Sequence, residues 1–462
     1  MRLLAHKSVL LTALAAAALP PFARAAAPAP AVRQLQVQAQ PDAPDLACER
    51  RALLKKSAPA AHAEPMEVPD DALLRESDPP GPAPDGAQAA RPQPAPGAYR
   101  IAIWGDSHLA ANFFGEELAR QLKVPADNVS NVLLPANMGR AGVRLPIRRA
   151  CVSWQWKYEP GYLGGAAARA PGPGLVNMVA DDAGATLAWD LRSDQRAPRY
   201  ERVRILYQQT EAPIVVAVGV DGGPETEVAL DGRPGPAVLE LAADKPVALV
   251  KLRLVGGALR FHGLDLQASS ASPIVMDIFG YPGATVAGWK TAQTDYLASW
   301  FGQRDYQAVV LEFGTNEGAA KPFDAGAYRR TLEESVRNLR TVFPQAACVL
   351  IAPGDRGVLV PQSVNRTRHG KGKNKTHAAP RVDLYAYSRV HAEIGRIQRD
   401  VAGAAGCSVW SMLDAMGGPG ATYTWVRQSP PLMARDLIHF TVPGYQRFAQ
   451  KFARDMGWTA PE

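Results

Sequence analysis

Three short stretches of this chain hold side chains that could do chemistry together. Gly105-Asp106-Ser107-His108 offers a hydroxyl nucleophile, and Asp436-Leu437-Ile438-His439 offers an imidazole with a carboxylate close before it. Between them, Gly314-Thr315-Asn316-Glu317 adds an amide donor. A serine hydroxyl is a weak nucleophile and needs a base within hydrogen-bond reach. The spacing of Asp436 and His439 lets one turn present both, so that the carboxylate accepts from Nδ1–H and Nε2 faces Ser107. Asn316, with the backbone N–H groups of Gly283 and Ser107, could then hold a developing oxyanion. The chemistry of such a set is acyl transfer through a serine ester.

Each stretch also fits a plainer role. Asp106 and Ser107 suit a helix N-cap, and Thr315-Asn316-Glu317 suits an ordinary turn and cap. Asp436 fits a carboxylate at a helix N-terminus with an incidental histidine beside it. Gly283 competes with Gly280 for shaping one loop. What separates the readings is whether the surrounding elements bring these residues to one place.

Tyr99–Trp104, Ile274–Phe279, Ala308–Phe313, Cys348–Ala352 and Cys407–Met412 read as short apolar strands. Helical spacing follows in Phe114–Leu122, in a segment to about Trp300 after a turn through Gly283, and in Ala325–Val342, Val382–Val401 and Tyr445–Met456. Strands alternating with helices imply an α/β fold, a parallel sheet with helices on both faces. Ligands of such sheets bind beyond the carboxyl ends of the strands. Ser107, Gly283 and Asn316 each fall just past a strand, and Asp436 and His439 just before the last helix. All five are expected at one edge of the sheet.

The segment 155–270 has a different rhythm. Val203–Gln208, Ile214–Val220, Val238–Leu241, Val247–Leu254 and Leu259–Leu266 are β-type runs punctuated by Gly, Pro and Asp. That pattern predicts an all-β sandwich inserted between the first two strands of the parallel sheet. No internal repeat interrupts the scheme.

The N-terminal part reads as delivery and tether. Arg2 and Lys7, the apolar run Val9–Leu19 and Ala23-Arg24-Ala25 have the layout of a secretory signal peptide over 1–25. Residues 26–96 are rich in Ala and Pro and read as a linker. The expected division is thus 1–25, 26–96, a discontinuous α/β domain over 97–154 and 271–462, and the insertion over 155–270. Location is expected to be periplasmic or secreted, after cleavage near Ala25, with no transmembrane segment.

The formal net charge is +7, and Arg2, Lys7 and Arg24 supply three of those charges, which leaves +4 for the remainder. A mild excess suits solubility or an anionic polymer. Basic residues are not interleaved with aromatics in a nucleic-acid module, so no nucleic-acid partner is expected. Asp355–Arg381, with RTRHGKGKNKTH, reads as an exposed mobile loop over the strand ends. His369 and His377 lack a third ligand at metal spacing. No P-loop, dinucleotide fingerprint or zinc motif is present, so neither cofactor nor metal is implied. Four cysteines allow three connectivities. If the runs opened by Cys348 and Cys407 are neighbouring parallel strands, those two could bridge and Cys48 would pair with Cys151.

On these residues the chain resembles the SGNH (GDSL-like) hydrolase superfamily. Gly105-Asp106-Ser107 matches the first block, Gly283 in YPGAT the second, Gly314-x-Asn316 the third and Asp436-x-x-His439 the last. Within that group it looks like the periplasmic peptidoglycan O-acetylesterases. The resemblance covers roughly 97–460 and implies a flavodoxin-like three-layer parallel sheet with an inserted jelly-roll domain similar to carbohydrate-binding modules. It implies Ser107, Asp436 and His439 as catalytic, with Ser107, Gly283 and Asn316 as oxyanion donors. His108 stands where Leu is usual and Glu317 where Asp is common.

The implied function is a serine esterase removing O-acetyl groups from an envelope polysaccharide. Two alternatives use the same chain differently. An O-acetyltransferase would pass the acetyl group to a sugar hydroxyl, and a non-catalytic polysaccharide-binding protein would work through the β-module. Trp154, Trp156, Tyr158, Tyr162 and Trp189 could stack on sugar rings or pack a core. Oligomeric state is not legible.

Overall fold

The site is positioned by a five-stranded parallel sheet: β1 (Tyr99–Gly105), β2 (Ile274–Gly280), β3 (Ala308–Glu312), β4 (Ala347–Ala352) and β5 (Ser408–Ser411). The computed structural model describes residues 29–40, 42–48, 65–79, 99–129, 132–133, 142–165, 169–193, 195–268, 272–302, 306–366 and 382–458. The expected signal peptide, His369 and His377 lie outside the described residues. Strand order is β2-β1-β3-β4-β5, all parallel. The order reverses between β1 and β3, and such a switch point opens a crevice at the carboxyl ends of the strands.

The period-two alternation of the strands sends neighbouring side chains into two cores. Ile101, Ile103, Val310, Val349 and Ile351 pack with Phe114, Leu118, Phe448 and Phe452, from the helices Phe113–Gln121 and Val442–Met456. Ala102, Trp104, Val309, Leu311 and Leu350 face the other way, onto Leu332, Val336, Leu339, Ile394 and Ile397. Those come from the helices Ala325–Val342 and Ala386–Ala405. The result is three layers, helix on sheet on helix.

Between β1 and β2 the chain builds most of two further sheets. One runs 226–230, 214–220, 249–256, 186–190, 149–152, antiparallel throughout. The other is centred on Tyr200–Gln209, with Gly235–Ala242 on one side and Leu259–Ala268 on the other. Val216, Val218 and Leu252 of the first share a core with Ile205, Leu239 and Phe261 of the second, and Trp189 meets Phe261 at 5.6 Å between ring centroids. Hydrogen bonds from Trp104 to the Pro173 carbonyl and from Trp300 to the Pro171 carbonyl, both 3.0 Å, join these strands to the α/β part.

Several expectations need correction. Ala31–Gln36, placed in a linker, is a strand lying parallel to Gly235–Ala242. The stretch from Ala31 to Ala39 has no proline, and Leu35 and Val37 turn onto the core, a signal masked by Ala/Pro-rich flanks. Met66–Glu67 pairs with Val360–Pro361, and the short helix Asp71–Arg75 follows, capped by Asp70. Arg149–Val152, placed in the α/β part, pairs instead with Thr186–Asp190, and Val132–Leu133 pairs with Leu259–Ala268. Their β-sheet role begins upstream of 155 because the partners they need lie in the inserted sheets. The helix expected up to Trp300 is two, Ala287–Thr291 and Thr294–Phe301, parted at an extended Ala292. The helix expected over 382–401 spans Ala386–Ala405 and ends at Gly406, in the left-handed conformation usual for helix stops. The start of the 355–381 segment is not an exposed loop: Asp355 and Val360 are buried.

Both disulfides form, Cys48–Cys151 and Cys348–Cys407, with Cα atoms 5.3 and 4.6 Å apart. The second follows from register. Val349 lies opposite Ser408 in adjacent parallel strands, so the preceding residues, both cysteines, are level.

Candidate active site

The turn after β1 is tight for a steric reason. A Cβ on Gly105 would stand 2.5 Å from Glu312 Oε2 and 2.8 Å from the Glu312 carbonyl, so only glycine lets β1 and β3 end this close together. Asp106 follows, fully buried, and its Oδ1 accepts the His108 N–H at 2.9 Å. Asp106 is thus the N-cap of the short helix Ser107–Ala110, and Ser107 is the first residue of that helix.

The last block folds into one turn. Asp436 Oδ1 accepts the backbone N–H groups of Ile438 and His439, each at 2.9 Å, which leaves Oδ2 for the ring. The His439 Nδ1–H donates to Oδ2 at 2.7 Å. A carboxylate can only accept, so this contact fixes the proton on Nδ1 and makes Nε2 an acceptor. The Ser107 hydroxyl lies 2.9 Å from Nε2 and donates to it. The structure therefore brings Ser107, His439 and Asp436 into one hydrogen-bonded chain.

Burial alone would raise the Asp436 carboxyl. Hydrogen bonds from the His439 ring and from two backbone N–H groups outweigh it and bring the pKa down to about 2. The same hydrogen bond raises the pKa of His439 above its ordinary value, against the opposing effect of burial.

Asn316 lies beside Asp106. Its amide donates to the Ala284 carbonyl at 2.9 Å and to Asp106 Oδ2 at 3.3 Å. Ala284 closes the turn in which Gly283 takes φ 82°, the left-handed region that favours glycine. Asn316 thus connects the Gly283 turn to the base of the Ser107 loop. Glu317 Oε1 accepts the Val286 N–H at 2.8 Å and Oε2 the Gly314 N–H at 3.1 Å, so this residue braces the same two loops.

Two residues beneath the site were not singled out from sequence. Glu312 is buried at the end of β3, and its Oε2 accepts the Asp106 N–H at 3.1 Å. Burial, then the neighbouring Asp106 carboxyl, pushes its pKa well above the usual range, while burial raises Asp106 to about 7. The visible signal was a carboxylate closing the otherwise apolar run AVVLE. Tyr445 is the second: its hydroxyl lies 3.2 Å from His108 Nδ1. Burial, then the charge of His439, lowers His108 to about 3, so it is a neutral packing partner.

Of the aromatics that could meet a sugar, Trp156, Tyr162 and Trp189 are buried, Tyr158 is partly buried and Trp154 is 72% exposed. Among the described residues no group of three or more His, Cys, Asp or Glu side chains is arranged to hold a metal ion, and no helix is long and apolar enough to cross a membrane.

Residues 261–447 match the GDSL-like Lipase/Acylhydrolase family. The span includes Gly283, Asn316, Asp436 and His439 and begins after Ser107, which the inserted strands separate from the rest. No curated protein matches the chain. Among solved structures, a peptidoglycan O-acetylesterase is similar at 22% identity over 78% of this chain and 91% of that one, with a TM-score of 0.56. That likeness bears on the fold. Looser ones include a salicylyl-acyltransferase from a tetracycline biosynthetic pathway, at 13% identity over 68% and 98% with TM-score 0.27. A family two carbohydrate esterase from Clostridium thermocellum is similar at 10% identity over 66% and 99%, with TM-score 0.25.

Proposed function

We propose that this chain, a carboxylic ester hydrolase carrying a GDSL-like lipase/acylhydrolase domain, removes O-acetyl groups from a cell-envelope polysaccharide, with O-acetylated peptidoglycan as its substrate. The observation that carries the reading is the Ser107–His439–Asp436 chain, with contacts of 2.9 and 2.7 Å at the carboxyl edge of the parallel sheet. The choice of substrate takes its lead from the O-acetylesterase that shares the fold.

In this reading Ser107 Oγ attacks the acetyl carbonyl carbon while His439 Nε2 takes its proton. Asp436 stabilises the imidazolium without itself becoming protonated. The carbonyl oxygen becomes an oxyanion held by the Asn316 amide and the N–H groups of Gly283 and Ser107. Asn316 exchanges its longer contact, the one to Asp106, for the oxyanion. Collapse of the intermediate expels the sugar oxygen, which receives the proton from His439. Water, deprotonated by His439, then attacks the acetyl-serine and releases acetate.

The two mostly antiparallel sheets serve in this proposal as an inserted jelly-roll module, built around 155–270 and completed by 31–36, 132–133 and 149–152. Two disulfides favour an oxidising compartment, so the protein is proposed to work outside the cytoplasm. Acetate release from O-acetylated peptidoglycan by the purified protein, abolished in Ser107→Ala, is the expected result. Undiminished release by that variant ends the proposal.

A further inference from the structure

The loop after β4 delivers a cation to the edge of this site. Asp355 is buried and accepts from the Ser388 hydroxyl at 2.6 Å and the Thr422 N–H at 3.0 Å. On the other side, the Gly357 N–H donates to the Leu437 carbonyl at 3.0 Å, within the turn that holds Asp436 and His439. Arg356 is therefore pinned on both flanks. Its guanidinium carbon stands 4.1 Å from the centre of the Tyr387 ring, and Lys321 Nζ stands 4.8 Å from the centre of the same ring. Lys321 comes from the loop after β3, the loop that also carries Asn316.

Two cations thus share one aromatic ring, and neither has an ion-pair partner among the described residues. Among the described residues no carboxylate oxygen lies within 4.0 Å of the Arg356 or Lys321 nitrogens. Arg356 is half-buried and its Nε is shut off from solvent without a hydrogen-bond acceptor. The nearby Asp436 carboxylate is already engaged by His439. A guanidinium carries five donors in a planar fork, and leaving part of it dry and unaccepted is costly. Stacking on Tyr387 fixes the plane of that fork. A carboxylate is the acceptor that fits a planar fork with two parallel hydrogen bonds.

We infer that Arg356, seconded by Lys321, binds a carboxylate on the polysaccharide beside the acetyl ester, so that the site selects an acidic glycan over a neutral one. The assignment rests on the esterase reading for its context and deepens it by naming the substrate class. Arg356 acts on substrate choice, whereas Ser107, His439 and Asp436 act on the ester.

The test uses a matched pair, N-acetylmuramic acid and the methyl ester of its lactyl carboxylate, as ligands for the full-length Ser107→Ala protein. The acid is expected to bind about ten- to a hundredfold tighter than its methyl ester. Arg356→Gln in that background should remove most of the difference, and Lys321→Ala, which changes an exposed side chain, should remove a smaller part. Raised salt should narrow the gap as well. Equal binding of the two ligands, or a preference unchanged in both variants, overturns the inference. If Arg356→Gln does not fold, Lys321→Ala carries the test. The 6-O-acetyl forms of the same pair, given to the protein with Ser107 intact, report turnover separately. Absence of acetate release there defeats the esterase reading and leaves the binding result standing.

Discussion

The Leu437 carbonyl accepts the Gly357 N–H at 3.0 Å, and Leu437 itself holds φ 59°, inside the turn between Asp436 and His439. A left-handed leucine is strained by about 1–3 kcal/mol and persists only where its surroundings over-determine it. Here the side chain is fully buried with Val360, Leu384, Tyr385 and Tyr423, and Leu73 and Leu74 of the N-terminal segment pack on that cluster. Leu437→Ala should cost about 2–5 kcal/mol in denaturant unfolding. It should also lower kcat in the folded fraction, because the Asp436–His439 turn loses its anchor. Unchanged stability would show that the cluster does not hold the turn.

The acid limb of the rate profile should lie high. The hydrogen bond to Asp436 raises His439 above the ordinary imidazole value of about 6.5. Below its pKa the ring is protonated at Nε2 and cannot take the Ser107 proton, so kcat/KM should rise with pH and reach half-maximum above about 6.5. Asp436→Asn removes the cause of the rise. Residual activity, about ten-thousandfold lower, should show its acid limb at lower pH. Arg356 lowers His439 through its charge, so Arg356→Gln should move the limb upward. A limb that stays fixed in both variants would mean that another group controls it.

Asn316→Ala should reduce kcat by about a hundred- to a thousandfold with little change in KM, the pattern of a donor used only in the transition state. Asn316→Asp should also cost stability, since it sets a second carboxyl where Asp106 Oδ2 now receives an amide at 3.3 Å. Steady-state kinetics and thermal melts separate the two effects.

Removing the Cys348–Cys407 bridge should weaken the fold without altering the chemistry. The sequence separation of 59 corresponds to a loop-closure contribution of about 4 kcal/mol. Both cysteines lie at the amino ends of their strands, opposite the site edge. The double Ala variant should melt earlier yet keep its specific activity well below the transition. An equal loss of activity there would place the bridge closer to the chemistry than its position suggests.

What could be read from the chain was set by how local the signals were. β1 to β5 and the helix Ala325–Val342 announced themselves through apolar period, and Asp436-x-x-His439 through spacing within one turn. The strand Ala31–Gln36 was hidden because its partner lies some 200 residues away in sequence and its flanks are Ala and Pro. Arg149–Val152 fell within the span given to the α/β part because four residues carry too little period to show which sheet they join, and only their pairing with Thr186–Asp190 places them. Glu312 and Arg356 sit at or just past strand ends like any polar residue; only the fold shows one beneath the Ser107 loop and the other stacked on Tyr387.

A sequence separation of 332 between Ser107 and His439 also dates the site within the life of each molecule. A polypeptide that emerges N-terminus first shows its hydroxyl long before its imidazole exists, and β1 must wait for the whole inserted portion before β2 can lie beside it. A half-made or truncated product therefore lacks the joined pair, and the Ser107–His439 contact can form only once synthesis is nearly complete.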